Sequence, residues 1–159
     1  MVPSEVTVAV LDEELPQALA WAARHGWELS FDQEALVLDA RCAHPADDNP
    51  LLLIAEFDGY RALPPAWRFV DPETREATAR ATPTRDPVVG NRASVIYGVG
   101  IICAHFSRTA YAEYRTGAPH SNWALSAWDK VVEGVQAHNV AQMLAVIGHH
   151  LTYSKGRLE

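Results

Sequence analysis

Residues 51–70 read LLLIAEFDGYRALPPAWRFV, and the order of elements in this stretch decides the fold class. Leu51 to Phe57 is an apolar run of strand length, and the turn pair Asp58-Gly59 stands directly behind it, so the run reads as a central strand. Pro64-Pro65 then holds the backbone extended and removes two N–H donors. The next strand, Trp67 to Val70, is therefore expected to begin at a sheet edge. Two strands joined by a short connection pair antiparallel by default.

Upstream, Ala35 to Ala43 alternates Leu36, Leu38, Ala40 and Cys42 with Val37, Asp39 and Arg41, the period of a half-buried strand. That places Cys42 on the apolar face, where a thiol is inert core. Trp27 to Phe31 is a shorter strand set off by Asp32-Gln33, which makes a four-stranded antiparallel meander in all. Before it, Asp12 is an N-cap type followed by Glu13 and Glu14, and Gly26 is a C-cap type, so a helix is expected over residues 12–25. Its apolar face would be Leu15, Leu19 and Ala22, with Trp21 beside it.

Downstream, residues 71–92 are polar and rich in Pro, Thr and Arg, which reads as a long surface loop, a functional or mobile flap, with room for a short helix in TREATARAT. At the end, Asn139 and Gln142 form a capping-box pattern, and Val140, Met143, Leu144, Ile147 and Leu151 keep helical spacing over residues 139–152. The expected class is α+β, with both helices packed on the sheet. At 159 residues, 48% hydrophobic and 21% charged, residues 1–159 suit a single domain with its own core.

The formal charge of −7 leaves no basic surplus for nucleic acid or an anionic membrane surface. No apolar run approaches the roughly 20 residues of a spanning helix, so no membrane role is expected. Only Cys42 and Cys103 are present, and no leader pattern precedes the domain, which together suit a reducing, cytoplasmic setting. His149 and His150 are adjacent on a helix and cannot easily face one metal ion. No metal and no cofactor is called for.

The chemistry concentrates in residues 98–128, GVGIICAHFSRTAYAEYRTGAPHSNWALSAW. Cys103 leaves a short apolar strand and enters a polar segment without clear period, the kind of place where sites sit. A cysteine behind two isoleucines also fits a core residue, and both readings stay open. As a nucleophile it would need a base and an oxyanion donor. His120 can take a proton near neutral pH, Asn122 can donate an amide N–H, and His105 would face the same side as Cys103 if the strand continued. Ser107 and Arg108 suit an anchor for a short helix over Thr109 to Tyr114, with no catalytic role for Arg108. Trp123 and Trp128 read as a lid or core pair over the site.

The element order, together with Tyr60-Arg61-Ala62-Leu63-Pro64-Pro65-Ala66-Trp67-Arg68-Phe69, resembles the ubiquitin-conjugating enzyme family. That family carries Tyr-Pro-x-x-Pro-Pro-x-x-x-Phe after its third strand; Tyr60, Pro64, Pro65 and Phe69 match in spacing, and Arg61 replaces a proline. Ile102-Cys103 and Trp123 are candidate matches to the family's cysteine and tryptophan. No His-Pro-Asn triplet occurs, and the nearest upstream asparagine is Asn91. The chain looks more like divergent bacterial relatives of that family, which are similar to parts of antiphage modification systems.

The resemblance implies a fold of the UBC-like type and a thioester on Cys103. It also implies three partners: a ubiquitin-like protein, an activating enzyme and a target protein. Two other functions stand beside it: a noncatalytic module of the same fold that binds a ubiquitin-like protein or its activating enzyme, and a cysteine hydrolase, for which no triad with diagnostic spacing is evident.

Overall fold

The computed structural model describes residues 2–86, 88–90 and 92–159, so Asn91 lies outside the described residues. Helix α1 runs from Ser4 to His25, followed by strands β1 (Glu28–Asp32), β2 (Val37–Ala43), β3 (Pro50–Glu56) and β4 (Ala66–Val70). After a long connection come β5 (Ile96–Gly98), β6 (Ile101–Ile102) and helix α2 (Val140–Leu151). The first four strands form one antiparallel sheet in the order β1-β2-β3-β4, and β5 pairs with β6 in a separate antiparallel pair. The class is α+β, as the strand pattern indicates. Among the described residues no helix is long and apolar enough to cross a membrane.

Helix α1 begins eight residues before the expected Asp12, which lies exposed inside it. Residues Val6, Thr7, Val8 and Val10 are β-branched and poor helix formers. Tertiary contacts override that preference: the Thr7 hydroxyl donates to Tyr60 O at 2.9 Å, and Leu11 is fully buried. The far end follows expectation, since Gly26 at φ 73° sends its N–H back to Ala22 O. The buried stripe is Leu11, Ala18, Trp21 and Ala22; Leu19, expected inside, is 52% exposed.

Strand β3 is buried on both faces, which explains its unbroken apolar run. Leu51, Leu53 and Ala55 join the main core with both helices, while Leu52 and Ile54 meet Val70, Val37 and Ala77 on the other face. The connection after β4 is thus a cover for the second sheet face over part of its length. Thr78 caps a 3-10 turn over Ala79–Ala81; Ala81, Thr82 and Pro83 are buried; Thr84 N–H donates to Gly156 O at 2.8 Å and Leu158 N–H to Thr82 O at 3.0 Å. These bonds tie the expected flap to the C-terminal residues.

The Tyr60–Phe69 motif is a junction. Tyr60 is fully buried, and its hydroxyl donates to Glu14 Oε1 at 2.8 Å. Glu14 also takes Arg61 Nη1 at 3.2 Å and the first N–H of α2, from Val140, at 3.0 Å. One carboxylate of α1 therefore joins the motif to the N-terminus of α2, where a negative charge suits the dipole. Asn139 Oδ1 accepts Gln142 N–H at 2.9 Å, as the capping pattern anticipates, and Gln142 reaches back to His138 N–H at 2.8 Å.

The two helices meet closely at Gly148. A Cβ there would stand 3.0 Å from two atoms of the Trp21 indole, which is itself packed edge-on against Trp27 with ring centroids 5.2 Å apart. Gly→Ala inside a helix ordinarily stabilises by up to about 1 kcal/mol. Here overpacking outweighs that gain, so Gly148→Ala is expected to destabilise by about 1–3 kcal/mol. A urea midpoint at or above the wild-type value would show that Trp21 gives way without cost.

Candidate functional site around Cys103

Cys103 follows β6, and its N–H donates to Val95 O at 2.7 Å, which extends the β5–β6 pairing by one residue. On the other side of Val95, its N–H donates to Nδ1 of the buried His150 at 2.9 Å, so α2 fixes the strand that fixes the cysteine. Beyond Cys103 the chain turns sharply, with Ser107 N–H donating to Ala104 O at 3.0 Å. This turn is why His105 does not simply continue the strand.

Arg108 and Thr109 hold that turn against the sheet. Arg108, only 4% exposed, donates from Nε to Pro64 O at 2.9 Å, from Nη2 to Asp58 O at 2.7 Å and from Nη1 to Asp58 Oδ2 at 3.1 Å; its backbone N–H reaches Pro65 O at 2.9 Å. The Thr109 hydroxyl donates to Trp67 O at 3.0 Å and accepts Ile102 N–H at 3.1 Å. The Pro-Pro stretch and the cysteine segment are thus one hydrogen-bonded unit. In place of the expected short helix over Thr109 to Tyr114 there is a 3-10 turn at Arg108–Ala110. The anchoring expected of Arg108 is present.

The chain then loops out and returns. His120 N–H donates to Ala110 O, and Ala112 N–H donates to His120 O, both at 3.2 Å, a parallel bridge that brings His120 back to the cysteine. His120 Nε2 lies 3.1 Å from Cys103 Sγ. The His120 ring stacks on Trp123 with centroids 3.4 Å apart and planes 1° from parallel, and His105 stacks on the same indole at 3.6 Å and 23°. Two rings cannot both sit that close to one face, so Trp123 is held between the two histidines. Tyr111 closes the group by donating its hydroxyl to His105 O at 2.7 Å.

Of the four residues singled out from sequence, Cys103 and His120 touch. His105 faces the far side of Trp123, with Nδ1 buried and without a partner among the described residues. Asn122 is exposed, and no hydrogen bond among the described residues joins it to Cys103 or His120. The tryptophan pair divides: Trp123 belongs to the site, whereas Trp128 is core, with Nε1–H donating to Arg61 O at 3.0 Å. Sequence gave no sign of Glu14 as a junction beyond a carboxylate set three residues after Leu11 on a buried stripe.

Burial disfavours the charged form of both members of the Cys103–His120 contact. Burial pushes the Cys103 thiol up, with the Arg85 charge pulling the other way, and burial pushes His120 down from 6.5. With both groups neutral, the Cys103 S–H can donate to Nε2 when the imidazole proton is on Nδ1. Such a pair works by base-assisted attack, with the proton moving as the sulfur attacks. Cys42 is half-buried like Cys103 but packs against the main core, and burial pushes its thiol up to about 12.

Three histidines carry a pH signature. Burial holds His105, His120 and His150 below 6.5, with a neighbouring histidine adding to the effect on His105 and His150. An unfolded chain then binds protons that the folded chain does not, so this stability is present above pH 6.5 and is lost as pH falls from there toward the folded values. The thermal midpoint should fall between pH 7 and pH 5, a range above the ordinary carboxylate values. A flat profile over that range would contradict the burial of these rings.

Comparison with known proteins finds no matching family model, no matching curated protein and no matching solved structure.

Proposed function

We propose that the chain is a ubiquitin-conjugating-type acyl carrier in which Cys103 is the nucleophile and His120 its base. The observation that carries this is the 3.1 Å contact between Cys103 Sγ and His120 Nε2, on a half-buried cysteine at the end of a strand. The layout of helix, antiparallel meander, cysteine segment and helix supports kinship with conjugating enzymes, as does a Tyr60–Phe69 motif bonded to the cysteine segment through Arg108. Membership in a bacterial antiphage modification system is part of the same proposal and rests on the resemblance alone.

The chemistry is two acyl exchanges. As Cys103 sulfur attacks the thioester carbonyl of a charged ubiquitin-like protein, its proton passes to His120 Nε2. The new C–S bond forms, the bond to the donor sulfur breaks, and the donor thiolate takes the proton from the imidazolium. In the second exchange a target amine attacks the Cys103 thioester, gives its proton to His120, and the released Cys103 thiolate recovers that proton. The Trp123 stack keeps the imidazole plane fixed through both.

The same contact favours one other class, a cysteine hydrolase, in which water replaces the amine. A ubiquitin-like protein prepared as a C-terminal thioester of a small thiol separates the two without an activating enzyme. A carrier loads Cys103 and then discharges faster on adding a primary amine than in buffer. A hydrolase shows no lasting adduct and releases free acid at a rate that amine does not change.

A further inference from the structure

Trp123 carries a histidine on each face. His120 lies on one side with ring centroids 3.4 Å apart and planes 1° from parallel, and His105 lies on the other at 3.6 Å and 23°. The edge of Tyr111 meets the same indole at 5.5 Å and 61°, so the ring is held from three directions. A flat stack of this kind sets the imidazole over the electron-rich face of the indole, where a cation is attracted.

The two histidines are not equivalent. His120 Nε2 has Cys103 Sγ at 3.1 Å, whereas His105 Nδ1 is buried and has no partner among the described residues. A protonated His105 would carry an N–H on that buried nitrogen with nothing to accept it, and an unpaired buried donor on a cation is costly. Charges on both faces of one indole would also repel each other. The other ionisable groups around the stack are Glu133, which acts on His105, Glu113, which acts on Tyr111, and Arg85, whose charge acts at Cys103; Arg92 lies near Gly134 beside His105. The Tyr111 hydroxyl is already bonded to His105 O at 2.7 Å.

We propose that Trp123 is a positioning residue that also stabilises positive charge on His120: the imidazolium formed when Nε2 takes the Cys103 proton lies flat on the indole, and the stack holds its one proton on His120 and not on His105. Burial disfavours that imidazolium, and the aromatic face offsets part of the effect. The catalytic meaning of the stack rests on His120 being the base of Cys103. The charge preference is a property of the three rings and is measured without any acyl transfer.

The test is the NMR titration of His120 and His105 in histidine-labelled protein, with the two signals assigned by their loss in His120→Gln and His105→Gln. Biosynthetic replacement of tryptophan by its mono-, di- and trifluoro analogues weakens the negative face of the indole and keeps its shape. The His120 midpoint should fall stepwise with the number of fluorines, by about half a pH unit over the series. The acid limb of Cys103 loading from a synthetic thioester should move down in the same steps. In Trp123→Phe, where Trp21, Trp27, Trp67 and Trp128 still take the label, His120 should not respond to fluorine. A packing role for Trp123 would leave the midpoint unmoved, because the shape of the ring is preserved. A His120 midpoint indifferent to fluorine, an equal response in Trp123→Phe, or His105 titrating above His120 would overturn the proposal. A stepwise midpoint in a protein that never carries a thioester would leave Trp123 assigned and remove the conjugating function instead.

Discussion

His120→Gln is expected to slow acylation of Cys103 by about 10²–10⁴-fold at pH 7, the usual contribution of a positioned general base. Glutamine keeps a polar nitrogen near the place of Nε2 but cannot accept the thiol proton. Because burial raises the Cys103 thiol, little thiolate exists at pH 7 without that base. The loss should therefore shrink as pH rises, since hydroxide in the buffer takes over the deprotonation. Single-turnover loading from a synthetic thioester, measured from pH 6 to pH 10, gives both numbers. A change of less than about threefold at pH 7 would make His120 a neighbour and not a base.

The largest expected effect on stability is at Phe69. Its ring is 2% exposed in the main core, on a strand paired residue for residue with β3 and opposite Leu53. Phe69→Ala removes a buried ring and leaves a cavity beneath a sheet that cannot close over it, at a cost of about 3–5 kcal/mol. For a chain of this length that lowers the thermal midpoint by roughly 10 °C. Val132→Ala, at a side chain 85% exposed, is the matched control and should leave the midpoint in place. A Phe69→Ala midpoint equal to the control would mean that β4 turns its other face to the core.

The strands were legible because burial imposes a period of two on them. In β2 the alternation of Leu38 and Ala40 with Asp39 and Arg41 is the pleat itself, and in β3 the absence of alternation reports two covered faces. The start of α1 was not legible, because its first turns are written in valine and threonine. What makes them helical is a hydroxyl bond from Thr7 to Tyr60, 53 residues away in sequence, and a buried Leu11. Pro16 in mid-helix further weakened the local signal.

At the site, residue chemistry was readable and proximity was not. Cys103 and His120 are 17 residues apart in an irregular segment, and what joins them is a backbone bridge from His120 to Ala110 and Ala112 that no side-chain pattern announces. His105 was expected beside the thiol on strand alternation. The strand stops at Ile102, the chain turns, and the ring ends on the opposite face of Trp123. Asn122 was chosen for its amide and lies exposed one residue before that tryptophan.

The most direct test of the central claim is a charging reaction with an activating enzyme and its ubiquitin-like protein, ATP present, resolved on gels with and without reductant. Wild type and Cys42→Ala should each gain one adduct that excess thiol removes, and Cys103→Ala should gain none. Lys130 and Lys155 are the only lysines, so a thiol-resistant amide on the chain itself should be minor. An adduct that persists in Cys103→Ala, or no adduct on wild type while the activating enzyme is itself charged, would contradict the account and leave a noncatalytic binding module in its place.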